Sequence, residues 1–224
     1  MAKIFCINSL PRAGTHMVRD ALNRHADATC YAEIFGPPKH RPVWIKGKTI
    51  KEAIQWLKAK KSPSVIGFCI HRRELQHGLV KYVEREIPSN TLTIYIHREN
   101  LLHQCVSALR ARQTKVWTVM GRPRTINRPV LHVGIKELTQ YFKWMHGLTS
   151  EQPRFRRCIS FSYEEIVADM GKAFATMQTF LGLEVQPILP QTVKLGTSMR
   201  KSIDNYDVLK KHYRGTQWGK FFDE

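Results

Sequence analysis

Four short segments divide the chain, and each has the length and the share of apolar residues expected of a strand. They are Ile4–Ile7, Val65–Ile70, Thr91–Ile96 and Phe155–Phe161. Between these runs, apolar residues recur at helical spacing, so that one face of each intervening segment is apolar. Strands that alternate with helices favour a parallel sheet covered by helices on both faces. The pattern therefore predicts an α/β fold, a three-layer sandwich with a central parallel sheet.

The predicted helices are marked by capping residues at their starts and by glycine or proline near their ends. The first helix runs through Met17, Val18, Ala21 and Leu22, the second is opened by the capping box Thr49–Glu52, and the third spans Glu74–Glu86. A fourth helix is capped by Asn100, and a fifth spans Ile135–Leu148. The sixth runs from the capping box Ser162–Glu165 to Gly182, and a short seventh helix is capped by Asp204 and runs through Leu209.

Three further segments differ from this alternation. Cys30–Phe35 is a short apolar stretch with one carboxylate, Glu33, in its middle. Gly36–Lys48 is rich in proline and basic residues and is predicted to be an irregular loop. Arg110–Arg128 has six basic residues and no acidic one, and its glycine and prolines interrupt regular structure. Both basic segments are suited to contact an anionic ligand.

Composition places the chain among globular α/β proteins. Its 224 residues are 42% hydrophobic, which suits a single domain over residues 1–224. It lacks an apolar run of about 18 residues and an N-terminal signal peptide, so we expect no membrane span and a cytoplasmic location. The five cysteines form no C-x-x-C pair, and the histidines show no metal-binding spacing, so we expect neither a disulfide framework nor a metal site.

Net charge is the strongest signal in the composition. The chain has 36 Lys and Arg residues against 18 Asp and Glu residues, which gives a formal charge of +18. A field of this sign favours phosphates, sulfates, nucleic acids or acidic polysaccharides as partners. The charge alone does not distinguish an enzyme that uses an anionic substrate from a protein that binds nucleic acid.

The stretch that follows the first strand, Ser9–His16, has the layout of an anion-binding loop. A strand leads into a tight turn, and the turn leads into a helix whose first backbone N–H groups face outward. Arg12 adds a guanidinium suited to phosphate or sulfate, and Thr15 and His16 add side-chain donors. It is not a Walker A loop, because Thr15 and His16 stand where the lysine and the Ser/Thr of that motif would be. Mg-nucleotide triphosphate binding is therefore unsupported.

A second basic position, the pair His97-Arg98, follows the third predicted strand. Ligands of parallel sheets bind beyond the carboxyl ends of the strands, where both this pair and the Ser9–His16 loop fall. Two such positions at the same edge predict a ligand with two separated anionic groups.

These residues resemble the family of sulfotransferases that use 3′-phosphoadenosine 5′-phosphosulfate. Pro11–His16 is similar to the 5′-phosphosulfate loop of that family, and Ile96–Ser107 to its 3′-phosphate motif, although Arg98 and Ser107 are one residue further apart than in the cytosolic small-molecule branch. Ser160–Asp169 resembles the strand-to-helix step before the last long helix of the family. Ser202–Asp207 resembles the tail of the bacterial carbohydrate branch, which includes nodulation-factor and trehalose sulfotransferases.

The resemblance implies a P-loop-like sulfotransferase fold, a sulfuryl transfer to an acceptor hydroxyl, adenosine 3′,5′-bisphosphate as the nucleotide product, and no metal. It also implies that Arg12 stabilises charge on the oxygen between phosphorus and sulfur. The nucleotide-binding residues implied are Arg12, Ala13, Gly14, Thr15 and His16 for the 5′-phosphosulfate, Arg98 and Ser107 for the 3′-phosphate, and Arg200 and Lys201 from the basic tail, closing over the nucleotide.

Transfer to a hydroxyl requires a base that accepts its proton. We assign this role to Glu33, which matches a base glutamate of the carbohydrate branch and lies in an apolar stretch expected to raise its pKa. A structural ion pair is the alternative interpretation of Glu33. His16 is the second candidate for the base, and His97 is interpreted as a structural residue.

Two other functions remain compatible with the sequence. One is a basic protein that binds nucleic acid without catalysis, and the other is a relative of P-loop kinases. The acceptor is not specified by the sequence, but the basic loops favour an acidic or sulfated sugar. The oligomeric state is equally open.

Overall fold

The computed structural model describes residues 1–35, 45, 48–60, 62–71, 87–88, 90–117, 128–150, 155–192 and 198–223. The predicted helix over Glu74–Glu86 lies outside the described residues. So do most of the Gly36–Lys48 loop and residues 118–127 of the second basic loop.

A five-stranded sheet in which every neighbouring pair is parallel forms the centre of the fold, with strand order β2-β3-β1-β4-β5. All four predicted strands are confirmed, and the stretch around Cys30 contributes a fifth one that the sequence did not reveal. The strands are β1 (Lys3–Ser9), β2 (Ala28–Tyr31), β3 (Val65–His71), β4 (Leu92–His97) and β5 (Arg157–Ser162).

The described helices largely follow the predicted pattern. They are α1 (Thr15–Leu22), α2 (Ile50–Lys58), α3 (Leu101–Thr114), α4 (Ile135–Ser150), α5 (Tyr163–Ala168), α6 (Met170–Leu181), α7 (Met199–Ser202), α8 (Tyr206–Tyr213) and a final 3-10 helix (Gly219–Phe222). Among these helices, none is long and apolar enough to cross a membrane.

Two helix predictions were wrong in detail. The helix expected from Ser162 to Gly182 is interrupted at Asp169, whose backbone leaves the helical region and whose side chain caps α6 by accepting from the Lys172 N–H at 2.9 Å. Asp204 does not cap α8, which begins after Asn205. The reason is that the Asp204 carboxylate instead contacts His132 Nδ1 at 2.9 Å.

The chain forms two compact units, Met1–His97 with Gln152–Gln191 and Arg98–Glu151 with Thr192–Glu224. That both units belong to one sulfotransferase domain over residues 1–224 stays a prediction.

The first unit contains the sheet and buries both of its faces. Because side chains alternate along a strand, Phe5 and Ile7 of β1 pack with α1 and α6, while Ile4 and Cys6 pack with α2 on the other face. Gly67 lies opposite Phe5 in the register of β1 and β3, and a side chain there would overlap the Phe5 ring. The three layers expected from the sequence are thus present in this unit.

The second unit is built around aromatic side chains. Phe142 of α4 is fully buried and has ring centroids of Tyr213, Trp218 and Phe221 within 5.2 to 5.5 Å. Contacts at such spacings contribute to stability beyond the area they bury. This cluster joins α4 to α8 and the final 3-10 helix.

Candidate active site

The loop after β1 turns sharply through two left-handed residues. Arg12 has φ 67° and Gly14 has φ 97°, and Gly14 is the N-cap residue of α1. A left-handed conformation is unfavourable for a residue with a side chain, so Arg12 is held there by the surrounding structure. Such outliers are concentrated at functional sites.

Gly14 is required for a second reason, which is the close approach of Tyr163. A Cβ atom at position 14 would lie 2.6 Å from Cδ2 of the Tyr163 ring. Tyr163 is the first residue of α5, so the Ser160–Asp169 segment packs directly on the loop. Two of the four segments that carry the family resemblance are therefore in contact.

The amino terminus of α1 is suited to an anion. Its first turn has no acidic residue, and its N-cap residue, Gly14, has no side chain to cap it, whereas Thr49 and Ser162 cap α2 and α5. The backbone N–H groups of a first helical turn have no partner within the helix, and the helix dipole favours negative charge there. The local structure thus fits the anion-binding role predicted for Ala13, Gly14 and Thr15.

A chain of hydrogen bonds joins this loop to Glu33 across the carboxyl ends of three neighbouring strands. Ser9 and His71 are register partners at the ends of β1 and β3, and Glu33 follows β2. Thr15 Oγ1 lies 2.5 Å from Ser9 Oγ, and Ser9 Oγ lies 3.0 Å from His71 Nδ1. His71 Nε2 lies 2.6 Å from Glu33 Oε1. The candidate base is therefore connected to the candidate anion loop.

Glu33 does not have the raised pKa that the sequence predicted. Burial acts to raise its pKa, but hydrogen bonds from His16 and His71 and the charge of His71 act the other way and prevail. The pKa of Glu33 consequently lies well below the usual range of a glutamate. The apolar neighbours in sequence gave no indication of the two imidazoles, because these come from α1 and β3.

His16 is the most exposed of the three side chains His16, Glu33 and His71. Its Nε2 lies 3.7 Å from Glu33 Oε1, and its side chain is 36% exposed, against 28% for Glu33 and 18% for His71. The structure therefore brings together the two predicted base candidates, Glu33 and His16, with the more exposed one at the solvent side.

Two imidazoles and a carboxylate are also a donor set found in metal sites. Ligand atoms about 2.0–2.1 Å from a tetrahedral zinc ion would stand about 3.3 Å apart. The His71–Glu33 separation of 2.6 Å is shorter than that and is typical of a hydrogen bond. The geometry favours a hydrogen-bonded pair.

The remaining predicted nucleotide residues lie in the second unit. Arg98 directly follows β4 in the chain, and Ser107 lies on α3, whose N-cap Asn100 accepts from the N–H groups of Leu102 and His103, both at 3.1 Å. Their 3′-phosphate role stays a prediction.

The basic tail has a partner of its own. The Arg200 guanidinium makes a two-point contact with the Asp207 carboxylate, at 2.8 and 3.1 Å, and both side chains are exposed. Lys201 is the next residue of α7. Closure of Arg200 over a nucleotide, which stays a prediction, would require it to leave Asp207.

His97 lies at the end of β4, where its ring stacks on Tyr95 at 5.7 Å and its register partner is Ser162 of β5. These contacts within the sheet agree with the structural interpretation of His97.

Comparison with known proteins finds similarity to sulfotransferases. The family described as Stf0 sulphotransferase matches residues 74–142 of the chain. Nodulation protein H of Rhizobium tropici is 22% identical over 232 residues, a match that covers 98% of this chain and 92% of that protein. The chain is thus similar to a sulfotransferase family model over part of its length and to this relative over nearly all of it. These similarities indicate an enzyme of sulfuryl transfer.

Solved structures of other sulfotransferases have the same fold. A sulfotransferase from Alicyclobacillus acidocaldarius matches with a TM-score of 0.59 at 12% identity, over 95% of this chain and 92% of that one. The sulfotransferase domain from the curacin biosynthetic pathway matches with a TM-score of 0.51 at 14% identity, over 84% and 76% of the two chains. The predicted P-loop-like sulfotransferase fold is confirmed.

Sequence reasoning missed His71 and the part played by Ser9. His71 ends β3 just as Ser9 ends β1, and the rule that ligands bind beyond strand ends applies to both. The order of the strands, with β3 directly beside β1, is what brings the imidazole to the loop. That order was not available from the sequence of this chain.

Proposed function

We propose that this sulfotransferase moves the sulfuryl group of 3′-phosphoadenosine 5′-phosphosulfate to an acceptor hydroxyl, on a carbohydrate or glycoconjugate, by in-line transfer with Glu33 as the base. The observation that carries the proposal is the hydrogen-bonded connection from the anion loop to Glu33 through Ser9 and His71. This connection links a carboxylate to a helix terminus suited to an anion, which supports a transfer from an anionic donor to a hydroxyl.

The donor supplies an activated sulfuryl group. The backbone N–H groups of Ala13, Gly14 and Thr15 hold its 5′-phosphosulfate, together with the side chains of Arg12 and His16. Arg98 and Ser107 bind its 3′-phosphate, and Arg200 and Lys201 cover the nucleotide. Each of these groups is a donor or a cation, which suits a ligand with two anionic ends.

The bonds, charges and proton of the transfer are accounted for without a metal or a redox partner. The acceptor oxygen forms a bond to sulfur while the bond between sulfur and the phosphate oxygen breaks, and its electron pair stays on that oxygen. Glu33 takes the proton of the acceptor hydroxyl. Arg12 stabilises the charge that develops on the departing phosphate oxygen. The products are the sulfated acceptor and adenosine 3′,5′-bisphosphate.

An acidic acceptor is supported by Arg110 of α3. The pKa of Arg110 is lowered because burial removes its guanidinium from water and because Arg128 places a like charge nearby. An anion placed near the Arg110 and Arg128 guanidinium groups would stabilise both of these cations. We therefore place an acidic or sulfated sugar first among acceptors, and the carbohydrate class itself rests on the sequence resemblance.

The nucleotide site is tested with adenosine 3′,5′-bisphosphate in titration calorimetry. Arg12→Ala is expected to weaken binding by about 10- to 100-fold, because a charge-assisted hydrogen bond contributes roughly 1.5–3 kcal/mol. Arg24→Ala, which removes an exposed cation just after α1, is the matched control and is expected to bind like the wild type. Absence of binding at millimolar ligand, or equal binding by the Arg12 variant, would contradict the proposal.

The base is tested by transfer of radiolabelled sulfate from the donor to a panel of neutral, acidic and sulfated oligosaccharides. Glu33→Gln keeps the size of the side chain but removes its basicity, so we expect transfer to fall by about 10²–10⁴-fold. Affinity for adenosine 3′,5′-bisphosphate, measured by calorimetry, is expected to stay within a few-fold of the wild type. Full activity of this variant would assign the base elsewhere, with His16 as the next candidate.

A further inference from the structure

The Glu33 carboxylate is held at one of its two oxygens. His71 Nε2 lies 2.6 Å from Oε1, and His16 Nε2 lies 3.7 Å from the same atom. The low pKa of Glu33 keeps the carboxylate ionised, and an ionised carboxylate only accepts hydrogen bonds. His71 therefore donates its Nε2–H to Oε1, and Oε2 is the oxygen that remains for a hydroxyl of the acceptor.

The orientation of Glu33 depends on this contact. The backbone before Glu33 is anchored, because the Cys69 N–H donates to the Ala32 carbonyl at 3.3 Å. The Glu33 side chain, however, lies just beyond the end of β2 and is 28% exposed. A partly exposed glutamate has several rotamers available, and a base must lie within hydrogen-bond reach of the proton that it accepts. The contact with His71 selects one of these rotamers.

His71 is itself fixed on the other side of its ring. Its Nδ1 lies 3.0 Å from Ser9 Oγ, and the two residues are register partners at the ends of β3 and β1. Ser9 is fully buried, and the His71 side chain is 18% exposed. A ring that has a contact at each nitrogen cannot turn without losing one of them, so the direction of its Nε2–H is defined.

We infer that His71 is a positioning residue for the transfer: its Nε2–H holds Oε1 of Glu33 so that Oε2 faces the acceptor hydroxyl, and Ser9 fixes the imidazole that does so. The inference rests on the proposed function, since it takes Glu33 as the base. In this role His71 acts through Glu33 and takes no proton from the acceptor.

The same serine ties the base to the donor loop. Ser9 Oγ also lies 2.5 Å from Thr15 Oγ1, in the first turn of α1, where the 5′-phosphosulfate is proposed to bind. Ser9 and Thr15 are both buried, so this contact is shielded from water. One hydroxyl thus sets the separation between the donor loop and the imidazole. Such placement matters for rate, because a displacement of about 1 Å can cost about 100-fold.

The experiment measures kcat, KM for the acceptor and affinity for adenosine 3′,5′-bisphosphate. His71→Ala removes the N–H that holds Glu33, so kcat is expected to fall by about 30- to 100-fold, while KM and nucleotide affinity stay within about threefold. His71→Gln carries an amide N–H that can reach Oε1, and it is expected to recover kcat to within about fivefold of the wild type. Ser9→Ala, which leaves the imidazole held at one nitrogen, is expected to lower kcat by about 3- to 10-fold.

The pH profile of kcat separates positioning from damage to the fold. His71 lowers the pKa of Glu33 by its hydrogen bond and its charge, whereas burial raises it. Without His71, burial acts against fewer donors, and the pKa of Glu33 rises. Since Glu33 must be ionised to accept a proton, His71→Ala is expected to lose activity on the acidic side at a higher pH than the wild type. A variant that is merely less well folded loses activity at every pH.

Other charged and titratable groups face the Glu33 carboxylate and remain the same in these variants. His16 from α1 is the second imidazole near Oε1. Cys69 of β3 lies in the field of Glu33 and of Arg19, and it contacts Cys30 of β2. The Cys30 contact and burial raise the pKa of the Cys69 thiol well above its ordinary value. Because these groups are common to the wild type and the variants, the difference between their profiles reports on the Glu33–His71 pair.

A double-mutant cycle assigns the effect to the carboxylate. If His71 acts only through Glu33, His71→Ala costs nothing further in Glu33→Gln, whereas a purely structural role adds its full cost in both backgrounds. His25→Ala is the matched control, because His25 is a buried histidine with two contacts of its own, to the Glu184 carbonyl at 2.9 Å and the Asp27 N–H at 3.0 Å. It is expected to lower the melting temperature and to keep kcat.

The outcomes distinguish this inference from the function on which it rests. Wild-type kcat in Glu33→Gln overturns the proposed base, and the inference with it. A loss in Glu33→Gln together with wild-type kcat in His71→Ala overturns the positioning role alone. Additive losses in the double mutant overturn it as well. So does a His71→Gln variant as impaired as His71→Ala, which would assign the proton transfer to the imidazole itself.

Discussion

At the scale of single residues, the site depends on positions where side-chain chemistry and backbone geometry both matter. Arg12 carries the charge of the loop, yet it also adopts a left-handed conformation that residues with a side chain avoid. Glu33 is a carboxylate whose properties are set by two imidazoles from other elements. The identities of these residues were readable in the sequence, whereas their conformation and their partners were not.

Gly14 offers a sharp test of the loop geometry. Gly14→Ala must place a Cβ at φ 97° and within 2.6 Å of the Tyr163 ring, so we expect a loss of at least about 1–2 kcal/mol in unfolding free energy. Urea unfolding measures this loss of unfolding free energy. Gly147→Ala is the matched control, because it lies inside α4 with open space around its Cβ, and it is expected to stabilise by about 0.5–1 kcal/mol. Equal effects of the two substitutions would contradict the described loop.

At the scale of elements, helix starts were the most predictable features of the chain. The capping boxes at Thr49 and Ser162 and the cap at Asn100 all form as predicted, because they depend on residues three or fewer positions apart. Asp204 and Asp169 show the limit of such reasoning. Asp204 is engaged by His132, which lies 72 positions away, and Asp169 divides one predicted helix into two.

Asn100 is expected to determine the stability of α3, the helix that carries Ser107. Its side chain accepts from two backbone N–H groups and donates to the Phe221 carbonyl at 3.2 Å. Asn100→Ala should therefore lower the unfolding free energy by about 1–2 kcal/mol in urea titrations. Asn100→Asp keeps the acceptor oxygen and is expected to recover part of that loss. An alanine variant as stable as the wild type would show that the cap is unimportant.

At the scale of the whole molecule, composition indicated the kind of ligand and left the chemistry open. A net charge of +18 is compatible with a nucleotide, an acidic glycan or nucleic acid. The family match, together with relatives that align over nearly the full chain, decides in favour of sulfuryl transfer. We propose that, beyond the donor, this positive charge serves the binding of an acidic acceptor.

The sequence by itself determined the alternation of strands and helices, the anion loop after β1 and the candidate base Glu33, because each is encoded in neighbouring residues. Only the tertiary structure decided what surrounds that base. Ser9, His71 and Glu33 are separated by up to 62 positions, and they meet because β2, β3 and β1 lie side by side with their carboxyl ends at one edge. Hydrogen bonds across that edge lower the pKa of Glu33, whereas local burial alone would raise it, because the pKa of a carboxylate depends on the donors that lie close to it in space.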